Sequence, residues 1–133
     1  MRLFGVATGF SLALAVSISS LTSAHAQDAE AGQKVFGQCR SCHQIGETAK
    51  NGVGPHLNGI FLRKAGEVEG YNYSEANKKS GAAWTEEFFA KYIADPRGVM
   101  PGNKMAFAGL KQEKQIADLI AFLKQYGADG KKM

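Results

Sequence analysis

Cys39-Arg40-Ser41-Cys42-His43 is the most informative segment of this 133-residue chain. Two thiols three positions apart, followed at once by a histidine, are typical of a site where a haem is attached covalently. Each thiol can add across one haem vinyl group to give a thioether, and the spacing puts both sulfurs on one side of a helical turn. The histidine that follows can then reach the iron. The segment therefore predicts one covalent haem c, held by Cys39 and Cys42, with His43 as an axial ligand.

Other functions are known for cysteine pairs, and three of them compete with haem attachment. Cys39 and Cys42 are the only cysteines, so a redox-active dithiol or a simple disulfide is an alternative. A thioredoxin-like dithiol requires a βαβ setting, and no strand pattern surrounds the pair. A structural zinc usually takes four ligands from two separated pairs. Beyond residue 26 only Cys39, Cys42, His43 and His56 are available, and the adjacent Cys42 and His43 cannot easily bind one ion together.

The N-terminal 26 residues have the pattern of a secretory signal peptide. Arg2 supplies a positive start, residues 3–16 are mostly apolar, and Ala24-His25-Ala26 is a small-x-small cleavage site before Gln27. The apolar run is short for a membrane span, although a retained anchor is the alternative. The sequence therefore predicts a cleaved signal peptide at 1–26 and one domain at 27–133. Haem is attached to cysteines outside the cytoplasm, so we expect a soluble protein of the bacterial periplasm.

Size and charge limit what the mature domain can do. Its 107 residues are barely enough for a good core, and a buried haem would supply apolar surface that the side chains lack. Without Arg2 the chain has 15 basic and 12 acidic residues, a net charge of +3 before the haem is counted. That balance suits docking to acidic partners but is too weak to indicate nucleic-acid binding. We expect a monomer.

Local signals predict an all-α fold with long loops. The Gly-rich residues 44–73 show little periodicity, and so long an irregular segment is unusual unless it wraps a rigid apolar group such as haem. Capping residues and apolar spacing place the helices. The predicted helices are Asp28 to about Cys42, Ser74 to about Ser80, Thr85 to Asp95-Pro96, and about Gln112 to Gln125.

The last predicted helix has the clearest apolar face. Ile116, Leu119, Ile120 and Leu123 follow the i, i+3, i+4, i+7 spacing of an amphipathic helix. This face should pack on the first helix near Gly32 and Phe36, where glycine allows the backbones to approach. Alternatively the face covers the haem, and both can be partly true.

The second axial ligand decides what the iron does. The candidates are Met105, Met100, His56 or no ligand. A thioether fills the coordination sphere and raises the potential, whereas an open position allows peroxidase-like or gas-binding chemistry. We predict Met105, because the turn-rich segment 101–105 can present a side chain inward. Met100 precedes a proline that restricts it to extended geometry, and His56 suits a surface or supporting role better.

The mature chain resembles the class I c-type cytochromes, in particular mitochondrial cytochrome c and the bacterial cytochromes c2. The resemblance covers about residues 28–126. Two departures are that Asn103 stands where threonine is usual and Gln38 where a docking lysine is common. The matching motifs are Cys39-x-x-Cys42-His43, Gly54-Pro55-His56-Leu57-x-Gly59, Tyr71-Asn72-Tyr73-Ser74-x-Ala76-Asn77, Trp84, and Pro101 to Gly109.

The resemblance implies a fold and a set of roles. The fold would be the small class I cytochrome c fold, with about four to five helices and long loops wrapped around one haem. The Pro55 carbonyl would accept a hydrogen bond from His43, and Phe107 would cover the haem edge. The haem propionates would be held by Tyr73, Trp84 and Arg63, and the Met105 sulfur would be flanked by Tyr92 and Asn77.

The same resemblance implies a periplasmic one-electron carrier rather than an enzyme. It would take electrons from a quinol-oxidising complex of the bc1 type and deliver them to an oxidase, a photosynthetic reaction centre or a peroxidase. A positive collar of Lys50, Arg97, Lys104 and Lys111 would steer these membrane partners. The alternatives are a haem enzyme or sensor with an open iron site, and a subunit that serves one dedicated dehydrogenase.

Overall fold

The computed structural model describes Gly5 and residues 27–133. The predicted signal peptide at 1–26 lies outside the described residues except for Gly5. Within this part of the chain no helix has the length and apolarity needed to cross a membrane. The described residues form five α-helices and no β-strand, which confirms the predicted all-α class. They are α1 (Ala29–Phe36), α2 (Glu75–Ser80), α3 (Glu86–Ala94), α4 (Pro96–Val99) and α5 (Glu113–Leu123).

Helix α1 is shorter than the sequence predicted. The Asp28 side chain accepts hydrogen bonds from the N–H groups of Glu30 and Ala31, which caps the first turn. The prediction that the helix runs to about Cys42 is wrong, because regular geometry ends at Phe36. Beyond it the N–H of Cys39 bonds the carbonyl of Phe36, three residues back, at 2.8 Å. Bonds of this spacing tighten the chain into successive turns rather than a continued α-helix.

The predictions for α2, α3 and α5 are confirmed within two residues at each end. Ser74 caps α2 and Thr85 caps α3, each accepting a backbone N–H through its hydroxyl. Helix α4 was not predicted. Asp95 ends α3 and at the same time caps α4 by accepting the N–H of Gly98, with Pro96 at the first helical position. The Asp-Pro pair therefore ends one helix and starts the next.

Helices α1 and α5 pack against each other, as predicted. A Cβ atom on Gly32 would lie 1.9 Å from the Asp118 carbonyl oxygen, so only glycine permits this approach. Phe36 and Phe122 stack beside it with their ring centroids 5.2 Å apart. The four residues of the predicted apolar face of α5 are all buried, and Leu119 and Leu123 also line the central cavity. The face therefore serves both the helix pair and the cavity.

The segment between α1 and α2 is a long loop, as the glycines predicted. Its one regular element is a 3-10 turn at Ile60–Leu62. The buried Asn58 ties the loop to itself, because its side chain accepts the Gly46 N–H at 2.8 Å and donates to the Gly46 carbonyl at 2.9 Å. Buried polar groups are stable when paired in this way. Loop residues 53–55, 57, 60 and 63 line the central cavity, so the loop forms one wall of it.

Candidate haem site

The Cys39–His43 motif sits on the turns that follow α1. The N–H groups of Cys42 and His43 both donate to the Cys39 carbonyl, at 3.1 and 2.9 Å. This closed turn brings both sulfur-bearing side chains and the imidazole to the lining of one cavity. Burial, with a smaller contribution from Cys42, raises the pKa of the Cys39 thiol to about 11. Both cysteines are half-buried, so they border the apolar interior without leaving the surface.

The His43 ring is fixed by the residues that follow the motif in the loop. Its Nδ1 lies 2.7 Å from the Pro55 carbonyl oxygen, which assigns the proton to Nδ1 and leaves Nε2 without one. Gly54 lies under the ring, where a Cβ atom would be 2.3 Å from the ring Cε1. Burial lowers the pKa of His43, although the hydrogen bond to Pro55 acts in the opposite direction. The neutral imidazole is the form that binds a metal.

The cavity beside His43 is mostly apolar, and every described α-helix except α4 contributes to its lining. It is lined by Phe36 of α1, by Phe89, Tyr92 and Ile93 of α3, and by Leu119 and Leu123 of α5. The predicted site residues also line it, and the structure therefore brings all of them together. They are Cys39, Cys42, His43, Pro55, Arg63, Tyr73, Asn77, Trp84, Tyr92, Met105 and Phe107.

Arg63 gives the clearest sign that this cavity takes a group with anionic oxygens. Its two terminal nitrogens donate to the Asn58 and His56 carbonyls, at 2.9 and 2.8 Å. Its Nε is buried and has no hydrogen-bond partner within the described residues. Burial lowers the pKa of Arg63 below its usual range, but a guanidinium stays charged in proteins. A buried cation with an unused donor favours a carboxylate ligand, as a haem propionate would be.

Aromatic side chains of α3 surround Trp84, which also lines the cavity. Tyr92 meets it edge to face with ring centroids 5.0 Å apart, and Phe88 lies at 5.3 Å. Burial raises the pKa of Tyr92 to about 12, so its hydroxyl stays protonated at neutral pH. The Tyr73 hydroxyl accepts the Val68 N–H at 3.1 Å. Trp84, Tyr92 and Tyr73 thus contribute a mostly apolar wall to the cavity, and their indole N–H and hydroxyl groups are its hydrogen-bond donors.

The structure separates the candidates for the second axial ligand. Met105 lines the cavity and is half-buried. Met100 is 5 % exposed and belongs to the packed core, outside the cavity lining. His56 also lies outside the lining of this cavity, and its Nδ1 accepts the Asn58 N–H at 3.3 Å. Burial lowers the pKa of His56, with Arg63 adding to the effect.

Three residues of the site had no assigned role in the sequence analysis. Gly54 makes room for the His43 ring, Tyr71 donates its hydroxyl to the Val53 carbonyl at 2.6 Å, and Asn103 binds the backbone around Met105. All three fall inside motifs that the sequence showed. Their functions depend on contacts with distant backbone groups, and no spacing rule predicts such contacts.

The residues present fit a covalent haem. Two thiols, a fixed imidazole and a thioether border one apolar cavity, and a buried guanidinium supplies an unused donor for a carboxylate. Cysteine thioethers with a histidine ligand are the attachment chemistry of haem c, and an apolar shell is what a haem requires. The alternative zinc site lacks support, because the described residues contain no group of three or more His, Cys, Asp or Glu side chains that could hold a metal ion.

Known proteins match this chain over most of its length. The family model described as cytochrome c matches residues 29–127. Cytochrome c2 of Blastochloris viridis is 56% identical over 119 residues, covering 90% of this chain and 94% of that protein. Cytochrome c-550 of Nitrobacter winogradskyi is 52% identical over 104 residues, covering 78% and 95%. The solved structure of cytochrome cH from Methylobacterium extorquens has a TM-score of 0.70 at 45% identity, covering 74% of this chain and 98% of that one.

These matches agree with the motif, the helix order and the chemistry of the cavity. The structural match covers 98% of the cytochrome cH chain, so the fold and not only the attachment segment is common to the two proteins. The chain therefore belongs to the cytochrome c family, as a class I c-type cytochrome similar to the bacterial cytochromes c2 with one covalent haem c, whose attachment motif Cys39 and Cys42 fit.

Proposed function

We propose that this cytochrome is a one-electron carrier of the periplasm, in which His43 and Met105 are the axial ligands of the haem iron. The observation that carries the proposal is that both thiols, His43 and Met105 line one cavity. Bound haem c supplies reversible exchange of one electron at its iron. The chain's own residues hold this group, set its potential and limit access to it.

His43 is held in the orientation and protonation state that ligation needs. The 2.7 Å contact with the Pro55 carbonyl fixes the ring plane and leaves Nε2 as the ligand atom. Met105 contributes a neutral, polarisable sulfur, which favours ferrous iron and raises the potential. With both positions filled by the protein, small molecules must displace a side chain to bind. This arrangement supports electron transfer rather than ligand chemistry.

The remaining lining residues serve the haem periphery in this proposal. The unused Nε of Arg63 is the strongest candidate donor to a propionate, with Tyr73 and Trp84 beside it in the lining. Tyr92 and Asn77 tune the potential by their hydroxyl and amide dipoles near the Met105 sulfur. Phe107 covers the haem edge and is only half-buried, so it marks where electrons leave and enter.

The rival function is an enzyme or sensor with an open iron site. It would need a distal catalytic group, and His56, the best candidate in the sequence, lies outside the cavity lining. Carbon monoxide discriminates the two functions. Strong binding to the reduced native protein would support the rival, whereas slow or weak binding would support a filled coordination sphere.

Optical spectra of the mature protein test the ligation directly. We expect a low-spin spectrum with a weak far-red band in the ferric form, because a thioether ligand gives that band. The band should vanish in Met105→Ala and survive in Met100→Leu, a control that keeps the core filled. A high-spin native spectrum, or a band that persists in Met105→Ala, would reject His43/Met105 ligation.

We propose that a positive collar of Lys50, Arg97, Lys104 and Lys111, all of them exposed, docks the membrane redox partners. The partner complexes would be a bc1-type quinol-oxidising donor and an oxidase, reaction centre or peroxidase as acceptor. Two of the charges also have local contacts. The Lys104 amine bonds the Asn72 carbonyl, and that of Lys111 lies 2.6 Å from the Ala94 carbonyl.

Charge reversal in the collar tests this docking. Lys104→Glu should slow reduction by an acidic partner and flatten its dependence on salt, but it also removes a local contact. Lys50→Glu avoids that complication, and Lys34→Glu on α1 is a control of equal charge change. We expect about a two- to fivefold slower reaction at low salt for Lys50→Glu. Equal rates and salt slopes for Lys50→Glu and Lys34→Glu would reject the collar.

We further propose that residues 1–26 are removed on export and that 27–133 is the mature, monomeric domain. The support is the signal-peptide pattern of the sequence, and nucleic acid is not an expected partner at this net charge. The intact mass of the periplasmic protein tests the cleavage. A mature chain beginning at Gln27 is the expected result, and a protein that retains residues 1–26 would contradict it.

A further inference from the structure

Asn103 makes three hydrogen bonds that hold the backbone on either side of it. Its Nδ2 donates to the Pro96 and Met100 carbonyls, both at 2.8 Å. Its Oδ1 accepts the backbone N–H of Met105, also at 2.8 Å. The orientation of the amide follows from these partners, because two carbonyls can face only the NH₂ group and an N–H only the oxygen. One side chain thus connects helix α4 to the residue that we propose as an iron ligand.

The two carbonyls that accept the Asn103 amide hydrogens belong to a tightly packed part of the structure. Pro96 is among the fully buried residues and Met100 is 5 % exposed, so the two acceptor carbonyls belong to the packed interior. The Asn103 N–H also bonds the Met100 carbonyl at 3.1 Å. Farther along, the Leu110 N–H bonds the Ile93 carbonyl at 2.8 Å. Residues 103–110, called the Met105 segment here, are therefore hydrogen-bonded to α4 at one end and to α3 at the other.

Asn103 acts from outside the cavity. The following residues Lys104 to Phe107 line the cavity, whereas Asn103 does not. Threonine, the usual residue of the family here, has one hydroxyl hydrogen and cannot donate to two carbonyls at once. Only a carboxamide supplies two donors and an acceptor in this plane. The three side-chain hydrogen bonds therefore depend on asparagine at position 103, and threonine could not make all of them.

We propose that Asn103 is a positioning residue that pre-organises Met105 for the haem iron. This positioning role rests on the proposed His43/Met105 ligation. A ligand that its own loop already holds loses little conformational freedom on binding, so it is displaced with more difficulty. Breaking the three side-chain bonds of Asn103 loosens the Met105 segment at its α4 end, where only the backbone bond between the Asn103 N–H and the Met100 carbonyl remains of those described, and it leaves the Leu110 bond to α3 intact.

Imidazole binding to the ferric protein measures this effect, because imidazole must displace the sulfur. Asn103→Ala should bind imidazole about tenfold more tightly than the unmodified protein, the equivalent of one to two lost hydrogen bonds. Asn103→Thr should fall in between, since it keeps one donor. Asn72→Ala is the matched control, because that exposed residue meets the segment only through its carbonyl. Guanidinium unfolding of each variant reports global stability separately.

The outcomes separate this proposal from the ligation on which it rests. A far-red band that is lost in Met105→Ala, with tighter imidazole binding in Asn103→Ala and not in Asn72→Ala, would support the positioning role. The same loss of the band, with imidazole affinity in Asn103→Ala within twofold of the control, would overturn the role of Asn103 alone, even if global stability fell. A band that persists in Met105→Ala would overturn both proposals.

Discussion

Replacement of Gly54 by alanine should displace the His43 ring. The new Cβ atom would lie 2.3 Å from Cε1 and 2.7 Å from Nδ1, so the ring must move by about 1 Å to reach an ordinary contact. Glycine is needed here only for space, since its φ lies outside the left-handed region. The overpacking costs about 1–3 kcal/mol. Weakening the Pro55 bond adds about 0.5–1.5 kcal/mol, which gives about 1.5–4.5 kcal/mol in all.

Guanidinium unfolding of the haem-loaded protein measures this loss, and the ferric spectrum reports the iron environment at the same time. The matched control is Gly52→Ala in the same loop, where a Cβ would sit 3.6 Å from the Cys42 carbonyl oxygen. The control should change the free energy of unfolding by less than about 0.5 kcal/mol. If Gly54→Ala were as stable as Gly52→Ala and had the same spectrum, the steric argument would be refuted.

Two further predictions concern tyrosines of the cavity. Tyr71→Phe loses the 2.6 Å bond to the Val53 carbonyl and should lower the free energy of unfolding by about 0.5–1.5 kcal/mol; unchanged guanidinium unfolding would contradict it. Burial raises the pKa of Tyr92 to about 12 against an ordinary value of 10, so the unfolded chain releases this proton first. The contribution of the protonated Tyr92 to the free energy of unfolding is therefore complete below about pH 10 and is lost as the pH rises through 12. Tyr92→Phe should lack this decline, and parallel stability profiles of the two proteins over that range would count against it.

Much of the fold could be predicted because its signals are local. Ser74 and Thr85 cap helices through bonds to residues three positions ahead, and Asp95-Pro96 ends α3 as proline geometry requires. The attachment motif is likewise a set of neighbours in one turn. Each of these features depends on a few consecutive residues, so the sequence carries it in full.

The remaining features could not be predicted from the sequence, for different physical reasons. The first helix stops at Phe36 because the following turns bring the thiols to the cavity, a requirement that helix propensity does not contain. Helix α4 has only four residues and is too short to show a period. The unused Nε of Arg63 exists because the other nitrogens bind two loop carbonyls that the chain supplies from five and seven residues away.

The covalent haem, the all-α class and the family could all be inferred from the residues in order, because the cysteine pair with its histidine and the capped helices are encoded in short segments. The tertiary structure places Met105, which the sequence already favoured as the ligand, in the lining of the cavity and Met100 in the packed core. It also decided that Asn103 faces α4 rather than the cavity. Such choices depend on which distant backbone groups fold into reach, and these contacts form only when the whole chain packs.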